Sequence, residues 1–358
     1  MTMQELAYAF SEPVISASYK IKPEDFRVSE NLNFEPDGEG DHLFLLVEKT
    51  GLSTRDVQKL LMDLFKLPER DVSFSGMKDK QAVSRQWFSI KPREKTEALI
   101  DNFDSEHLKL CRIHRNKRKL KRGSHVSNNF IIRLSDLSDD PVKLDERLQL
   151  IAKHGVPNYF GEQRFGNNAD NVQMARQFFS GELRLSDRYR RGIYLSAARA
   201  YLFNRVLSQR VEQQSWNAYI PGDVMSLDAS SACFLPDSWN EVLAERLQQK
   251  DIHPSGPLWG AGKLKSQAQC AAMEMDLISS ERDLKTGLES AGLEQQRRAL
   301  RSVPGQLTYR IENKTALVLE FSLNKGSYAT SLLRELVKLR PHSSTQENQP
   351  DTEEHATP

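Results

Sequence analysis

A chain of 358 residues, 38% hydrophobic and 28% charged, is long enough for one large domain or two ordinary ones with a sizeable core. It has no run of eighteen apolar residues and no charged-then-apolar leader at Met1, so neither a membrane span nor a signal peptide is expected and the cytoplasm is the expected compartment. The net charge of +1 hides an asymmetry: residues 341–358 hold Glu347, Asp351, Glu353 and Glu354 and no Lys or Arg, and setting those four charges aside leaves +5 on residues 1–340.

Glu24 to Glu30 alternates so that Phe26 and Val28 share a face, and the Asp37-Gly-Glu-Gly40 turn leads into the apolar run His42 to Glu48, which reads as strand, turn, strand. After Ser53 or Thr54 as N-cap, Val57, Leu60, Leu61, Leu64 and Phe65 recur at helical spacing, and Pro68 follows the helix. Short strands are predicted around Val72 to Phe74 and Gln86 to Ile90, with Asp79 in the glycine-containing loop between them. Leu108 to Ile113 and Asn129 to Leu134 read as two more strands. They flank Arg112 to Arg122, where seven of eleven residues are Arg or Lys and none is acidic.

From about Asp145 the pattern changes. Asp170 to Phe179, Ser196 to Gln213 and Gln267 to Arg301 predict helices, interrupted by an irregular stretch from Pro221 to Gly262. Strand signals return at Gln306 to Ile311 and Ala316 to Phe321 around a Glu312-Asn313-Lys314 turn, and Ser327 opens a helix whose Leu332, Leu333, Leu336 and Val337 face inward. Strands at both ends with a helix-rich middle predict one discontinuous domain carrying an insertion. The acidic tail, 341–358, is expected to be disordered.

Clustered basic side chains release counterions from a nucleic-acid backbone. Arg115, Lys117, Arg118, Lys119, Lys121 and Arg122 are therefore expected to contact phosphates, the plainer alternative being a solvated loop. In Phe74 to Phe88 (FSGMKDKQAVSRQWF) Asp79 stands between Lys78 and Lys80, with Arg85 six residues on. Taken alone, Lys-Asp-Lys is more often a surface turn. Cationic neighbours nonetheless keep a carboxylate ionised beside a polyanion, fit to act as nucleophile or base without a cofactor.

Other strings carry no chemistry. His107, Cys111 and His114 are spaced like metal ligands, but on a strand His114 points away from the other two and the basic neighbours repel a cation. Gly256 to Lys263 has the wrong spacing for a phosphate loop, with Leu264 where Ser or Thr would bind magnesium. Lys121 to Leu134 lacks the aromatic spacing of an RNA-recognition strand. Three scattered cysteines, Cys111, Cys233 and Cys270, give no disulfide framework and suit a reducing compartment.

Six ordered blocks resemble the tRNA pseudouridine synthase D (TruD) family. They are Lys20 to Glu30 (KIKPEDFRVSE), Gly38 to His42 (GEGDH), Ser75 to Phe88, Asn158 to Gly166 (NYFGEQRFG), Tyr194 to Asn204 (YLSAARAYLFN) and Gly326 to Thr330 (GSYAT). The resemblance spans most of Lys20 to Leu339. It implies an α+β fold, a pseudouridine synthase core with a mixed, largely antiparallel sheet over residues 1–154 and 304–340 plus a helix-rich α/β insertion at 155–303, with an RNA cleft between the two.

By position in or beside those blocks it also implies roles. Asp79 would be the nucleophile, Phe26 the aromatic that contacts substrate, Asn128 a substrate-binding amide, Phe130 a ring near the target base, and Tyr328 a further aromatic of the site. Lys20 is a candidate charge partner for Asp79. The residues themselves leave alternatives open: Phe26 as a core ring, Asn128 as a turn residue with Asn129 beside it, and Lys20 as a solvated lysine. Ser327 reads either as an ordinary helix cap or, with Gly326 and the first free N–H groups, as part of a phosphate-holding turn.

The activity implied is isomerisation of uridine to pseudouridine in transfer RNA, usually at uridine-13, without metal or cofactor. Asp79 would attack C6 or C1′, or remove the C2′ proton, and the sequence leaves all three open. The alternative is a non-catalytic RNA-binding or RNA-folding protein using the same cleft, whose mark would be loss of Asp79. No protein partner is evident, and a monomer is expected.

Overall fold

In the computed structural model, residues 5–93, 96–100, 103, 105–166 and 169–340 are described, and the acidic tail at 341–358 lies outside the described residues. The alternating segments of the first third become β1 (Ser16–Tyr19), β2 (Phe26–Leu32), β3 (His42–Thr50), β4 (Val72–Phe74), β5 (Val83–Ile90), β6 (Leu108–Asn116) and β7 (His125–Ser135). Two helices interrupt them, α1 (Thr54–Phe65) and the short α2 (Thr96–Ile100). Ser53 is the cap of α1: its Oγ accepts from the Asp56 amide at 3.1 Å, and the Asp56 carboxylate accepts from the Ser53 amide at 2.8 Å. This capping box satisfies two amides that the first helical turn leaves unpaired.

The middle of the chain holds α3 (Asp145–His154), β8 (Val156–Pro157), α4 (Asn171–Ser180), α5 (Arg188–Glu212), β9 (Met225–Leu227), β10 (Cys233–Phe234), α6 (Glu241–Gln248) and β11 (Ile252–Leu258). It continues through α7 (Ala268–Ser279), α8 (Arg282–Ser290), β12 (Gln296–Ala299) and β13 (Arg301–Ser302). Two expectations are corrected here. The helix predicted from Gln267 to Arg301 breaks: Gly292 turns the chain at φ +77°, and β12 then pairs with β11, Gly256 opposite Arg298. Gln, Arg and Ala favour a helix locally, and pairing with a distant strand overrides that weak preference. The supposedly irregular stretch from Pro221 to Gly262 supplies β9, β10 and β11 to a sheet ordered β10-β9-β11-β12. Helix α5 also starts earlier than Ser196, because the Asp187 carboxylate caps it by accepting from the Tyr189 amide at 2.7 Å.

The chain ends with β14 (Gly305–Glu312), β15 (Ala316–Asn324), α9 (Ala329–Leu336) and β16 (Lys338–Arg340). Ser327 does not cap α9. The N-cap is Tyr328, which makes no side-chain capping bond, while the Ser327 amide donates to the Asn324 carbonyl at 3.1 Å.

Strands from both ends of the chain form one sheet, ordered β14-β15-β7-β2-β5-β3-β6, with β1 joined to β7 and β16, and β4 joined to β5. Only β2–β5 and β1–β16 are parallel among its pairs, so the sheet is mixed and largely antiparallel, as the resemblance implied. Register places Phe26, Val28, Phe130, Ile132, Leu319 and Phe321 on one face, packed with Leu148 and Ile151 of α3 and Leu332 and Leu336 of α9. At the other end of that face Leu45, Val47 and Phe88 pack with Val57, Leu61 and Phe65 of α1. Phe130 lies 5.9 Å from the Phe26 ring and 5.4 Å from Phe321, contacts that contribute about 0.5–1.5 kcal/mol each beyond burial. The opposite face meets solvent through Arg27, Arg85 and Ile131, as one side of an antiparallel sheet can.

Between the two apolar clusters the inner face changes character. Register aligns Glu30 with Asn128, Lys49 with Ser84, and Gln86 with Val47. Five polar side chains thus form a strip across the middle of an otherwise apolar face.

Candidate active site

The loop from Ser75 to Ala82, between β4 and β5, is held by that polar strip. Gln86 Nε2 donates to the Gly76 carbonyl. Thr54 Oγ1 accepts from the Lys78 amide at 2.8 Å and donates to Gln86 Oε1 at 3.0 Å. Lys78 Nζ pairs with Glu30 Oε1 at 2.7 Å, and Glu30 Oε2 accepts from the Trp87 amide at 3.1 Å. Lys49 Nζ donates to the Asp79 carbonyl at 2.7 Å and the Leu52 carbonyl at 2.6 Å. Gly76 has no room for a side chain, since a Cβ there would lie 2.9 Å from the His125 ring.

These groups are buried, so their partners matter: an unpaired buried charge is far costlier than a paired one. Burial pulls the Lys49 ammonium down to about 8, against the opposing pull of the Asp79 charge. Glu30, Lys49 and Gln86 escaped the sequence analysis as site residues. The available signal was three polar residues at positions that strand alternation assigns to the inward face.

The Asp79 side chain points out of this loop toward the rest of the molecule. Its Oδ2 forms an ion pair with Lys20 Nζ and accepts from Gln163 Nε2 at 2.9 Å, while Oδ1 accepts from the Gln81 amide at 3.1 Å. Burial would push this carboxyl up; the Lys20 charge and the hydrogen bonds from Lys20, Gln163 and Gln81 outweigh it and hold it below the usual carboxylate range. Lys20 Nζ also sits 4.5 Å from the centroid of the Phe26 ring, and Lys20 itself adopts a left-handed backbone, φ +55°.

The other expected residues are placed in different ways. Phe26 and Phe130 are both buried core rings in edge-to-face contact, with Phe26 beneath the Lys20 ammonium. Asn128 shares their face, and its buried Oδ1 has no hydrogen-bond partner. Asn129 lies on the opposite face, where Asn31 Nδ2 donates to its Oδ1 at 2.9 Å. Tyr328 comes from beyond the middle segment, its ring 5.9 Å from Phe160 and its hydroxyl accepting from Arg164 Nη2 at 2.8 Å. Gln163 and Arg164 lie in the short 3-10 turn Glu162–Arg164. Both stood in a quoted block, and neither carried a local signal of its role.

The basic run is divided. Arg115 Nη1 donates to the Gly40 carbonyl at 3.2 Å, Lys117 pairs with Glu39 at 2.6 Å, and Lys119 donates to the Arg70 carbonyl. Arg122 stacks 3.6 Å over Phe74, while Arg118 and Lys121 extend into solvent. Burial and the neighbouring Arg55 lower the Arg122 guanidinium, and Tyr189 of α5 is near enough to oppose them. The start of α5, with Arg188, Arg190 and Arg191 all exposed, is a second basic cluster, in the middle segment. Sequence analysis passed over this second basic cluster, although Arg184 to Arg191 holds four arginines in eight residues.

Among the described residues, His, Cys, Asp and Glu side chains form no group of three suited to a metal ion, and no helix is long and apolar enough to cross a membrane. The ring of His114 lies 6.1 Å from Trp87.

The chain matches a family model described as tRNA pseudouridine synthase D (TruD) over residues 2–183 and 176–336. The tRNA pseudouridine synthase D of Xanthomonas euvesicatoria is 42% identical over 347 residues, covering 92% of this chain and 94% of that one. The enzyme of the same name from Methylococcus capsulatus is 42% identical, covering 94% and 95%, and that from Aeromonas hydrophila 39%, covering 98% of each chain. A crystal structure named for the same protein in Methanosarcina mazei aligns with a TM-score of 0.73 at 19% identity, covering 92% of this chain and 95% of that one. The sheet with its helix-rich middle segment is therefore a pseudouridine synthase fold. The chain belongs to the tRNA pseudouridine synthase D family.

Proposed function

We propose that the protein isomerises uridine to pseudouridine in transfer RNA, at uridine-13, with Asp79 as the catalytic carboxylate. The observation that carries this reading is the setting of Asp79: a carboxylate held ionised by Lys20 and Gln163, presented by a loop locked onto buried polar groups, beside aromatic rings. Residues 1–154 and 304–340 form the catalytic unit in this reading, and 155–303 the insertion that closes the other side of the cleft.

The target nucleotide leaves its stack to reach Asp79, because its base and C1′ are otherwise out of reach. Phe26 and Phe130 floor the pocket, Tyr328 flanks it, and the unpaired Asn128 Oδ1 is an acceptor suited to the uracil N3–H. The bond from N1 to C1′ breaks, the uracil turns, C5 bonds to C1′, the C5 proton leaves and N1 gains one, so that the product is an isomer of the starting uridine. Asp79 serves by attack at C6 or C1′ or by taking the C2′ proton; each needs the ionised carboxylate. Arg115, Lys117, Arg118, Lys119, Lys121 and Arg122 attract the RNA backbone from the sheet side, and the arginines at the start of α5 from the insertion side.

The test is mapping of pseudouridine in transfer RNA from cells lacking the protein, complemented by wild type or by Asp79→Asn. Wild type should restore the modification at position 13 and the Asn variant should not. Restoration by both, or by neither with wild-type protein present and folded, overturns the assignment. Loss of the transfer-RNA phenotype on deletion, rescued fully by Asp79→Asn, would favour a role in RNA folding.

A further inference from the structure

Two guanidinium groups on the insertion side of the cleft have no carboxylate between them. Arg164, next to the Gln163 that touches Asp79, directs Nη1 to the Ser196 hydroxyl and Nη2 to the Tyr328 hydroxyl, both at 2.8 Å. Arg298, on β12, donates only from Nη2, to the Asn158 carbonyl at 3.1 Å and Asn158 Oδ1 at 2.7 Å. Its Nε is sealed from solvent without a partner, and its Nη1 lies toward Gly326. Both guanidiniums pack on one ring, Phe160, at 5.5 Å and 4.1 Å.

Arg199 likewise keeps a buried Nε without a partner, but other buried arginines of the chain are treated differently. Arg210, Arg297 and Arg334 each close on a carboxylate, at 2.7, 2.8 and 3.0 Å. Arg301 meets no acid directly but fills Nε and Nη2 with His253 and two backbone carbonyls. Arg298 keeps unfilled donors beside a second positive charge. Burial, with Arg164 adding to it, draws the Arg298 guanidinium down to about 10, which leaves it charged at neutral pH. A guanidinium with unfilled donors beside a second positive charge is costly to bury, and an anion there would offset the cost. The adjoining start of α9 supports the same sign, since its N-cap Tyr328 makes no side-chain capping bond and Gly326 opens the approach at φ +87°.

We propose that Arg164 and Arg298, at Phe160 and Tyr328, form a binding site for one phosphodiester of the substrate RNA adjoining the nucleotide presented to Asp79. The proposal rests on the activity reading above and extends it to an anchor on the insertion. Arg164 would exchange a hydroxyl for a phosphate oxygen, and Arg298 would offer Nη1, its donor on the Gly326 side. Neither group takes part in bond making. They fix the flipped nucleotide from its backbone while Asp79 meets its reacting atoms.

The test is an affinity cycle on the full-length protein. Transfer RNA is prepared with a single uncharged methylphosphonate at each linkage flanking uridine-13 in turn, and Kd is measured for wild type, Arg298→Gln and Arg164→Gln, alongside wild-type turnover on unmodified RNA. One neutral linkage is expected to weaken wild-type binding about tenfold or more, and to weaken Arg298→Gln binding less than twofold. The same variant should lower the slope of log Kd against log salt by about 0.7–0.9. Wild-type binding indifferent to every flanking linkage would overturn the site, with no dependence on how well the variants fold. So would a variant as sensitive as wild type at the affected linkage. A wild-type protein that binds the RNA yet forms no pseudouridine is a failure of the activity reading, which the turnover measurement separates from the Kd cycle.

Discussion

Gln163 Nε2 lies 2.9 Å from Asp79 Oδ2, the same oxygen that carries the Lys20 ion pair, so a residue of the middle segment completes the coordination of a carboxylate presented by the sheet. The middle segment and the sheet thus meet at the proposed nucleophile itself. A shift of the turn that carries Gln163 would change both the orientation and the charge balance of Asp79.

Gln163→Ala should lower kcat about tenfold with little change in RNA affinity, the loss of one hydrogen bond to a charged group being about 1.5–3 kcal/mol at most. Gln163→Glu should be worse, because a like charge at that distance raises the Asp79 pKa and moves the acid limb of kcat/KM upward. Steady-state kinetics across pH checks both, and equal activity of the two variants would count against the coupling.

Lys20→Met removes the largest influence holding Asp79 below its usual range and leaves burial, which pushes the carboxyl up. The defect in kcat/KM should therefore be greatest at low pH and shrink as pH rises. A pH-independent defect would show that Lys20 does something other than keep Asp79 ionised.

Lys78→Met leaves Glu30 buried without its cation, and the cost should be about 3–5 kcal/mol in urea unfolding. Glu30→Gln combined with Lys78→Met should recover part of that loss, since neither charge then remains. If single and double variants unfold alike, the pair is not what pins the Asp79 loop.

Arg118 and Lys121 extend into solvent, so Arg118→Gln with Lys121→Gln should leave the fold and kcat unchanged. The slope of log affinity against log salt should fall by about 0.7–0.9 per charge if each neutralises a phosphate. An unchanged slope would assign these two side chains to ordinary solvation.

Glu335 offers a pH test of stability remote from catalysis. Burial pushes its carboxyl up to about 7 from 4.5, against the charge of Arg334. The folded protein then holds a proton that the unfolded chain releases, so this contribution is complete below about pH 4.5 and is lost as pH rises through about 7. Stability attributable to the group should decline across that window by up to about 3 kcal/mol, and Glu335→Gln should flatten the decline. Urea titrations at pH 5 and pH 8 on both proteins give the answer.

Much of the sheet was legible because its strands alternate and its turns carry Gly, Asn or Asp at the positions turns require. β2 follows from that alternation, β3 from its apolar run, the β14–β15 hairpin from its Glu-Asn-Lys turn, and α1 from its apolar spacing and capping serine. The end of α8 was not legible: nothing local tells Gln296 to Ala299 to leave helical geometry, and the partner that decides it, β11, lies about forty residues away. Ser327 looked like a cap by residue type, yet the helix starts one residue later, with Tyr328 at the N-cap.

By itself the sequence determined the family, the longer strands of the main sheet and the loop that carries Asp79, because these are written in short-range pattern and contiguous blocks. Only the tertiary structure decided what surrounds that carboxylate. Lys20 and Gln163 are 59 and 84 residues from Asp79, and Lys49 is 30 residues away. They converge because sheet register and the return of the insertion bring them together, and burial then obliges each charge or dipole to find a partner there.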